Sequence, residues 1–338
     1  MIGTCLRLLA LSAAACCGAV SAEPVHVDYG NFVRAETDMY LEQSVKKSGL
    51  GKISHIRAAP SIEGQSVVRM NRDTLYSSGV FDLDAGPLTI VLPDPGSRFM
   101  SMQVISEDHY TTEVVYAPGT YTYDRARVGT RYVYPIIRTL VSAEDAADVK
   151  AANRLQDAVS VRQKARGTFE IPEWDEQSRT KVRQALKALA AQGTGDRMFG
   201  SKAEVDPIDF LVGAAVGWGG NPPSAAMYVG VQPVSNDGTA VHELIVKDVP
   251  VDGFWSISVY NESGFFEKNK ADVYSLNNFT AKKSSDGSYR IQFGGCETKA
   301  DNCIPIMKGW NYTVRLYRPR KELLSGAWKF PEARPVSK

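Results

Sequence analysis

A mainly β chain made of two sandwiches joined by a helical segment is the fold class this sequence predicts, and three observations predict it. Two blocks of short segments alternate apolar with polar residues and are broken by Gly, Pro and Asp turns. Between the blocks the apolar spacing becomes helical. Ahead of both runs an apolar leader that fits neither pattern.

The leader, MIGTCLRLLALSAAACCGAVSA, carries one basic residue, Arg7, then an apolar run from Leu8 to Val20, and closes on the small residues Val20-Ser21-Ala22. That is the layout of a secretory signal peptide cut after Ala22. The run is shorter than the roughly 20 residues a membrane span needs, and Glu23, Pro24 and His26 follow at once. An acylated Cys16 or Cys17 would want a Leu three positions earlier, where Ala13 and Ala14 stand. The expectation is an exported chain, periplasmic or secreted, starting at Glu23 with no transmembrane anchor.

Residues 23–65 read as a helix with its lead-in: NFVRAETDMYLEQSVKKSG sets Phe32, Ala35, Met39 and Tyr40 on one face and stops at Gly49. Residues 66–141 read as an antiparallel sandwich, with strands near Val67–Met70, Leu75–Leu83, Pro87–Leu92, Phe99–Ile105, Thr111–Tyr116 and Tyr132–Leu140. Residues 142–212 read as a helical connector. One helix starts near Ser142 and Asp145, continues through Val149, Ala152, Leu155 and Val159, and runs to Gly167; a second follows Pro172 and stops at Gly193. Residues 213–338 are β again, of jelly-roll type, with strands near Met227–Val231, Glu243–Val246, Phe254–Tyr260, Tyr289–Phe293 and Tyr312–Leu316. The glycines at 213, 217, 219 and 220 read as a loop, because a phosphate cradle would need a strand before, a helix after and a Lys-Ser/Thr pair.

Charge and cysteine usage narrow the function. Removing the leader removes Arg7 alone, leaving 38 basic residues against 38 acidic; nucleic-acid binding shows itself as a basic excess, so no such partner is expected. His26, His55, His109 and His242 are scattered without ligand spacing, so neither a metal nor another cofactor is indicated. With Cys5, Cys16 and Cys17 in the leader, Cys296 and Cys303 remain, and in an exported chain this pair reads as a disulfide across CETKADNC. No GxSxG elbow points to a serine hydrolase.

Motifs in both blocks carry a family likeness. NRDTLYS, DLDAGPLTIVLPDPGSRFMSMQVISEDHY and APGTYTY resemble the domain-of-unknown-function family 1254; DGFWSISVYNESGFF, SSDGSYRIQFGG and NCIPIMKGWNYTVRLYRPRKELLSGAWKFPEARPV resemble family 1214, its usual partner. The resemblance implies an immunoglobulin-like N-terminal sandwich, a helical segment and a C-terminal jelly roll. It implies no settled activity.

Three polar clusters are the candidate site residues. In NRDTLYS, Asn71 and Asp73 either hold a turn through side-chain to backbone bonds or, with Arg72 and Tyr76, build one end of a binding site. In SEDHY, Asp108, His109 and Tyr110 end the strand that begins at Phe99. If that strand neighbours the one starting at Thr74, Asp73 and Asp108 face each other as acid and base, with His109 available near neutral pH. Arg72 is then expected to be held by Asp73 or Asp108. In FWSISVYNES, Trp255, Tyr260 and Asn261 either fill a core or offer a stacking face to a sugar ring or other ligand. Two functions stay open: binding of a polar small molecule or glycan in the cell envelope, and metal-independent hydrolysis or elimination on a glycan through the Asp pair. A homo-oligomer is compatible with either.

Overall fold

The computed structural model describes residues 23–65, 67–298 and 300–336; the expected leader lies outside them. The described chain is mainly β, with seventeen strands and six α-helices. Helix α1 (Phe32–Ser48) leads into β1 (Ser54–His55), β2 (Thr74–Ser78), β3 (Phe81–Asp82), β4 (Leu88–Leu92), β5 (Met100–Ser106), β6 (Thr111–Tyr116) and β7 (Gly119–Tyr123). Helix α2 (Arg125–Val128), β8 (Tyr132–Leu140), α3 (Ala146–Asp157) and β9 (Ser160–Arg162) complete the first sandwich. One sheet runs β1-β2-β8-β5-β6 with β3 also on β8; the other is β7-β4-β9. Alternate residues of β4, β5 and β8, among them Leu88, Ile90, Leu92, Met102, Val104, Val133 and Ile137, fill the space between the sheets.

Strand β9 sits inside the expected helical connector. Helix α3, capped by Asp145, ends at Asp157, and Ser160–Arg162 then pairs with Thr89–Val91 as an edge strand of the smaller sheet. Three residues are too short a run for periodicity to register. No strand forms at Val67–Met70 either: Arg69 takes a left-handed φ of 53° and its amide donates to the Gly264 carbonyl, which turns this segment toward the second sandwich.

Helices α4 (Glu176–Ala190) and α5 (Pro207–Gly217) pack with α1 around Phe32, Leu186 and Val212. Within the stretch expected as a loop, Gly213 to Gly217 is therefore helix. Gly213 is needed there for closeness: a Cβ at this position would lie 2.8 Å from the Met198 side chain.

The second sandwich contains β10 (Ala226–Val231), β11 (His242–Val246), β12 (Trp255–Tyr260), β13 (Ser275–Asn277), β14 (Tyr289–Phe293), β15 (Cys303–Ile304), β16 (Asn311–Tyr317), helix α6 (Lys321–Leu324) and β17 (Arg334–Pro335). Sheet β10-β16-β12-β13 lies over sheet β15-β14-β11-β17. Trp255, Ile257 and Val259 of β12 and Tyr312, Val314 and Leu316 of β16 face this core together with Phe293 and Trp310. Cys296 and Cys303 are disulfide-bonded beside β14 and β15.

Strand alternation then decides the other face. Ser256, Ser258 and Tyr260 of β12, and Asn311, Thr313, Arg315 and Tyr317 of β16, point away from their own core yet are buried. The first sandwich covers them. This polar, doubly covered sheet face is where the two halves meet.

Candidate functional site

Direct hydrogen bonds close most of that junction. Ser256 donates to the Asp73 carboxylate at 2.6 Å, Arg69 donates to Asn311 and Thr313, and the Tyr260 hydroxyl donates to the Met70 carbonyl at 2.9 Å. Beside these contacts the surfaces part around a cavity of about 550 Å³. Its size falls in the usual range for small-molecule sites.

Four parts of the chain wall it. From the first sandwich come Tyr76 and Ser78 of β2 and Tyr134, Ile136 and Arg138 of β8. Tyr76 and Arg138 are direct partners in the β2–β8 register, which brings phenol and guanidinium together on one face. From the second sandwich come Tyr228 of β10 and Thr313, Arg315 and Tyr317 of β16. The segment from Val67 to Asn71 and the end of α5 with the Gly219-Gly220 turn close the sides.

The charge on these walls is one-sided. Three arginines line the cavity and no carboxylate does. Arg138 donates to the Gln103 side-chain carbonyl at 2.9 Å and the Gly219 carbonyl at 3.1 Å; Arg315 donates to Ser258, the Tyr260 hydroxyl and the Arg69 carbonyl. All these acceptors are neutral, and among the described residues neither Arg69, Arg138 nor Arg315 has an acidic group within ion-pair distance. Asp73, whose field reaches Arg315, is turned to Ser256 and Asn277, and burial pushes its carboxyl up against the pull of Arg315 and those two bonds.

The tyrosines add donors. The Asn71 side-chain amide donates toward the hydroxyls of Tyr76 and Tyr317 at 3.2 and 3.1 Å, and the Asn221 amide toward Tyr228 at 3.2 Å. Burial alone would raise the Tyr76 phenol. The Arg138 guanidinium and hydrogen bonds from Asn71, Thr74 and Arg138 overcome it and hold Tyr76 below the ordinary tyrosine value.

The expected site residues separate into two places. Asn71 and Tyr76 reach the cavity, whereas Arg72 and Asp73 flank the opposite side of the same segment. Arg72 is not held by Asp73 or Asp108: its guanidinium donates to the Pro60 carbonyl and to Glu144 at 3.2 Å, over the Tyr274 ring. Asp73 and Asp108 do not face each other, because β8 lies between β2 and β5. Thr74 pairs with Leu140 and Ser106 with Val133, so the two acids sit beyond opposite ends of this stretch of β8, more than about 20 Å apart at the rise of a strand.

Asp108 is bound to Arg34 of α1. His109, at a left-handed φ of 69°, is buried between Trp218 and Phe210. Its Nε2 accepts the Gly219 amide at 2.9 Å, and burial pushes the imidazole down to about 3, so it is neutral near pH 7 and props the turn that lines the cavity. Tyr110 stacks on Phe210. Trp255 is core, Tyr260 is buried at the junction, and the Asn261 side chain accepts the Ser263 and Phe265 amides of a turn. None of these three offers an open stacking face.

The cavity residues that sequence reasoning missed are Arg69, Arg138, Arg315, Trp218, Tyr228 and Tyr317. A signal for two of them was present: Arg138 in YPIIRTL and Arg315 in YTVRLY stand alone in otherwise apolar, strand-like runs. A lone guanidinium there must be buried against something that can receive it.

A second polar cluster lies under α1. Asp38 and Glu107 are both buried; Asp38 accepts the Trp174 indole N–H at 2.9 Å, and Arg34 reaches Glu107 at 3.4 Å. Burial is the largest influence raising both carboxyls, and Asp38 is pushed up to about 7.

Fold and cavity together define a two-domain β protein with a ligand-sized, cation-lined space at its domain junction. Residues 50–163 match the family described as Protein of unknown function (DUF1254), and residues 232–321 match the family described as Protein of unknown function (DUF1214); the chain carries these two domains in that order. The VPA0106 protein from Vibrio parahaemolyticus shares the fold at a TM-score of 0.70 and 18% identity, over 91% of this chain and 97% of that one. An uncharacterized protein from Burkholderia cenocepacia aligns at a TM-score of 0.51 and 12% identity, over 91% of this chain and 87% of that one. No curated protein matches the chain.

Proposed function

We propose that this is an exported protein that binds a polar small molecule in the cavity between its two β domains. The observation that carries the reading is the contrast within one interface: direct hydrogen bonds zip most of it shut, while Arg69, Arg138 and Arg315 converge on the part left open. The sequence leader and the Cys296–Cys303 bridge support export. No helix among the described residues is long and apolar enough to cross a membrane. The test is a thermal-shift and tryptophan-fluorescence screen of sugars, short peptides and small acids. Hits unaffected by changes at Tyr76, Arg138 or Arg315 would refute this placement of the site.

Catalysis is the second reading, and the separation of Asp73 from Asp108 moves it away from an acid pair. Tyr76 now favours it, since a phenol held below its ordinary value at a cavity wall suits proton transfer. Incubating each binding-screen hit with the protein and analysing products tests this: Tyr76→Phe should still bind, more weakly, and lose product. Equal product from both proteins would dismiss Tyr76 as the acid-base group.

A further inference from the structure

The charge class of the ligand can be read from the imbalance of the cavity walls. Resting on the binding site proposed above, we propose that the cavity takes an organic oxyanion, a molecule with one carboxylate, sulfate or phosphate group on a ring or apolar body, whose charge is received by Arg69, Arg138 and Arg315.

The first ground is the electrostatic count. A buried guanidinium is costly to bring out of water, and proteins ordinarily offset that cost with a carboxylate. Elsewhere in this chain they do so: Arg98 is paired with Asp148, Arg131 with Asp82, and Arg183 with Glu36. Among the buried arginines of the described residues, Arg138 and Arg315 are the exception; Arg69 is exposed at the cavity mouth. Arg138 and Arg315 are only 4% and 3% exposed, and their acceptors are carbonyls and hydroxyls. An anion entering the cavity would supply the missing partner, and guanidinium groups favour oxyanions because their N–H fork matches two oxygens at once.

The second ground is the direction of the neutral groups. Tyr76, Tyr317 and Tyr228 accept from the amides of Asn71 and Asn221, and among the described residues none of the three hydroxyls donates to a protein acceptor. Their protons remain to be given. A cavity rich in donors and poor in acceptors selects a ligand of acceptors.

The third ground concerns the rest of the ligand. Ile56, Met70, Ile136 and the Trp218 ring line the same space, so part of the wall is apolar and aromatic. Inorganic phosphate alone would leave that wall wet. A ring or short apolar body attached to the anion fits both parts.

The experiment compares ligands matched in shape and differing in charge: benzoate, benzyl alcohol and benzylamine as one set, glucuronate and glucose as another, with inorganic phosphate as a bare anion. Binding is read by melting temperature and by tryptophan fluorescence, at low and high salt, on the full exported chain. The expected result is that the anionic member of a set binds, its neutral counterpart binds at least tenfold more weakly, and the amine does not bind. Arg138→Gln and Arg69→Gln should each weaken the anion by about 10- to 100-fold, the scale of a lost charge-assisted hydrogen bond, while unfolding curves without ligand remain cooperative. If Arg138→Gln fails to fold, Arg69→Gln, at the cavity mouth, carries the comparison. Equal binding of the neutral counterparts, weakened by Tyr76→Phe or Tyr317→Phe but not by either arginine change, would overturn the oxyanion assignment and leave the binding reading standing. Absence of binding by every probe at millimolar concentration would overturn both.

Discussion

Asp38→Asn should make this protein more stable at pH 8 and leave it nearly unchanged near pH 4. Asp38 lies on the buried face of α1. One oxygen accepts the Trp174 indole; the other has no donor, and Glu107 stands beside it. Burial is the main reason the carboxyl is pushed up to about 7, from an ordinary value of 3.8. A folded value above the unfolded one means that this group's contribution to stability is complete below about pH 4 and is lost as pH rises through 7. Over about three pH units, at about 1.4 kcal/mol per unit, the stability lost relative to low pH is roughly 1 to 2 kcal/mol at pH 5 and about 4 kcal/mol at pH 8. Asn carries no charge to bury, and its oxygen can still accept the indole.

Urea unfolding of both proteins at pH 4, 5, 6, 7 and 8 is the assay, and the quantity read is variant minus wild type. The subtraction matters because His109 pulls the other way. Its folded value near 3 lies below the ordinary 6.5, so its contribution is complete above about pH 6.5 and is lost on acidification. The wild-type profile alone would blend the two slopes. A difference that grows from pH 4 to about 7 and then levels off is the expected result. A flat difference, or a variant less stable at pH 8, would show that Arg34 holds Asp38 ionised and that the burial argument is wrong.

Further outcomes follow from the same contacts. Asp108→Asn removes the pair with Arg34, but the Asp108 side chain is 45% exposed, so the expected loss is under about 1 kcal/mol with ligand response unchanged; loss of ligand response would return Asp108 to the site. His109→Ala leaves the Gly219 amide without its acceptor and should cost about 2 to 3 kcal/mol by chemical unfolding, while unchanged stability would show that the prop carries no energy. Replacing Cys296 and Cys303 together by Ser should cost about 2 to 3 kcal/mol by releasing a short ring. Equal free-thiol counts in the unfolded protein before and after reduction would contradict the bridge itself.

Much of the fold was legible because it rests on local chemistry. The period-two runs became β4, β5, β6, β8, β10, β11, β12, β14 and β16, since a strand buried on one or both faces must write its alternation into adjacent residues. Helix α1 was legible as a helix, and its buried face was legible at Phe32 and Ala35 but not beyond them. The spacing singled out Met39 and Tyr40, whereas Glu36, Thr37 and Asp38 are the residues fully buried beside Ala35. Those polar groups go inside because partners far along the chain receive them: Arg183 for Glu36, Trp218 for Thr37 and Trp174 for Asp38. A sequence read locally cannot supply such partners.

The site was hidden for the same reason carried further. Polar residues clustered in sequence, NRDTLYS and SEDHY, suggested a site by their density, yet density mostly reflected turn chemistry: the Asn71 side chain accepts the Asp73 amide and the His109 amide donates to Ser106. The cavity is built instead from single residues, each 60 or more positions from the next along the chain: Arg69, Arg138 and Arg315. Each looks out of place in its own strand or turn, and each is accounted for only when the two sandwiches meet. A stability-driven interface would have filled that space or paired those charges with acids, as Arg98 is paired with Asp148 and Arg183 with Glu36. That β8 and β16 both place an arginine on the junction face, with no acid within ion-pair distance among the described residues, is the pattern expected when the partner of the charge comes from outside the chain.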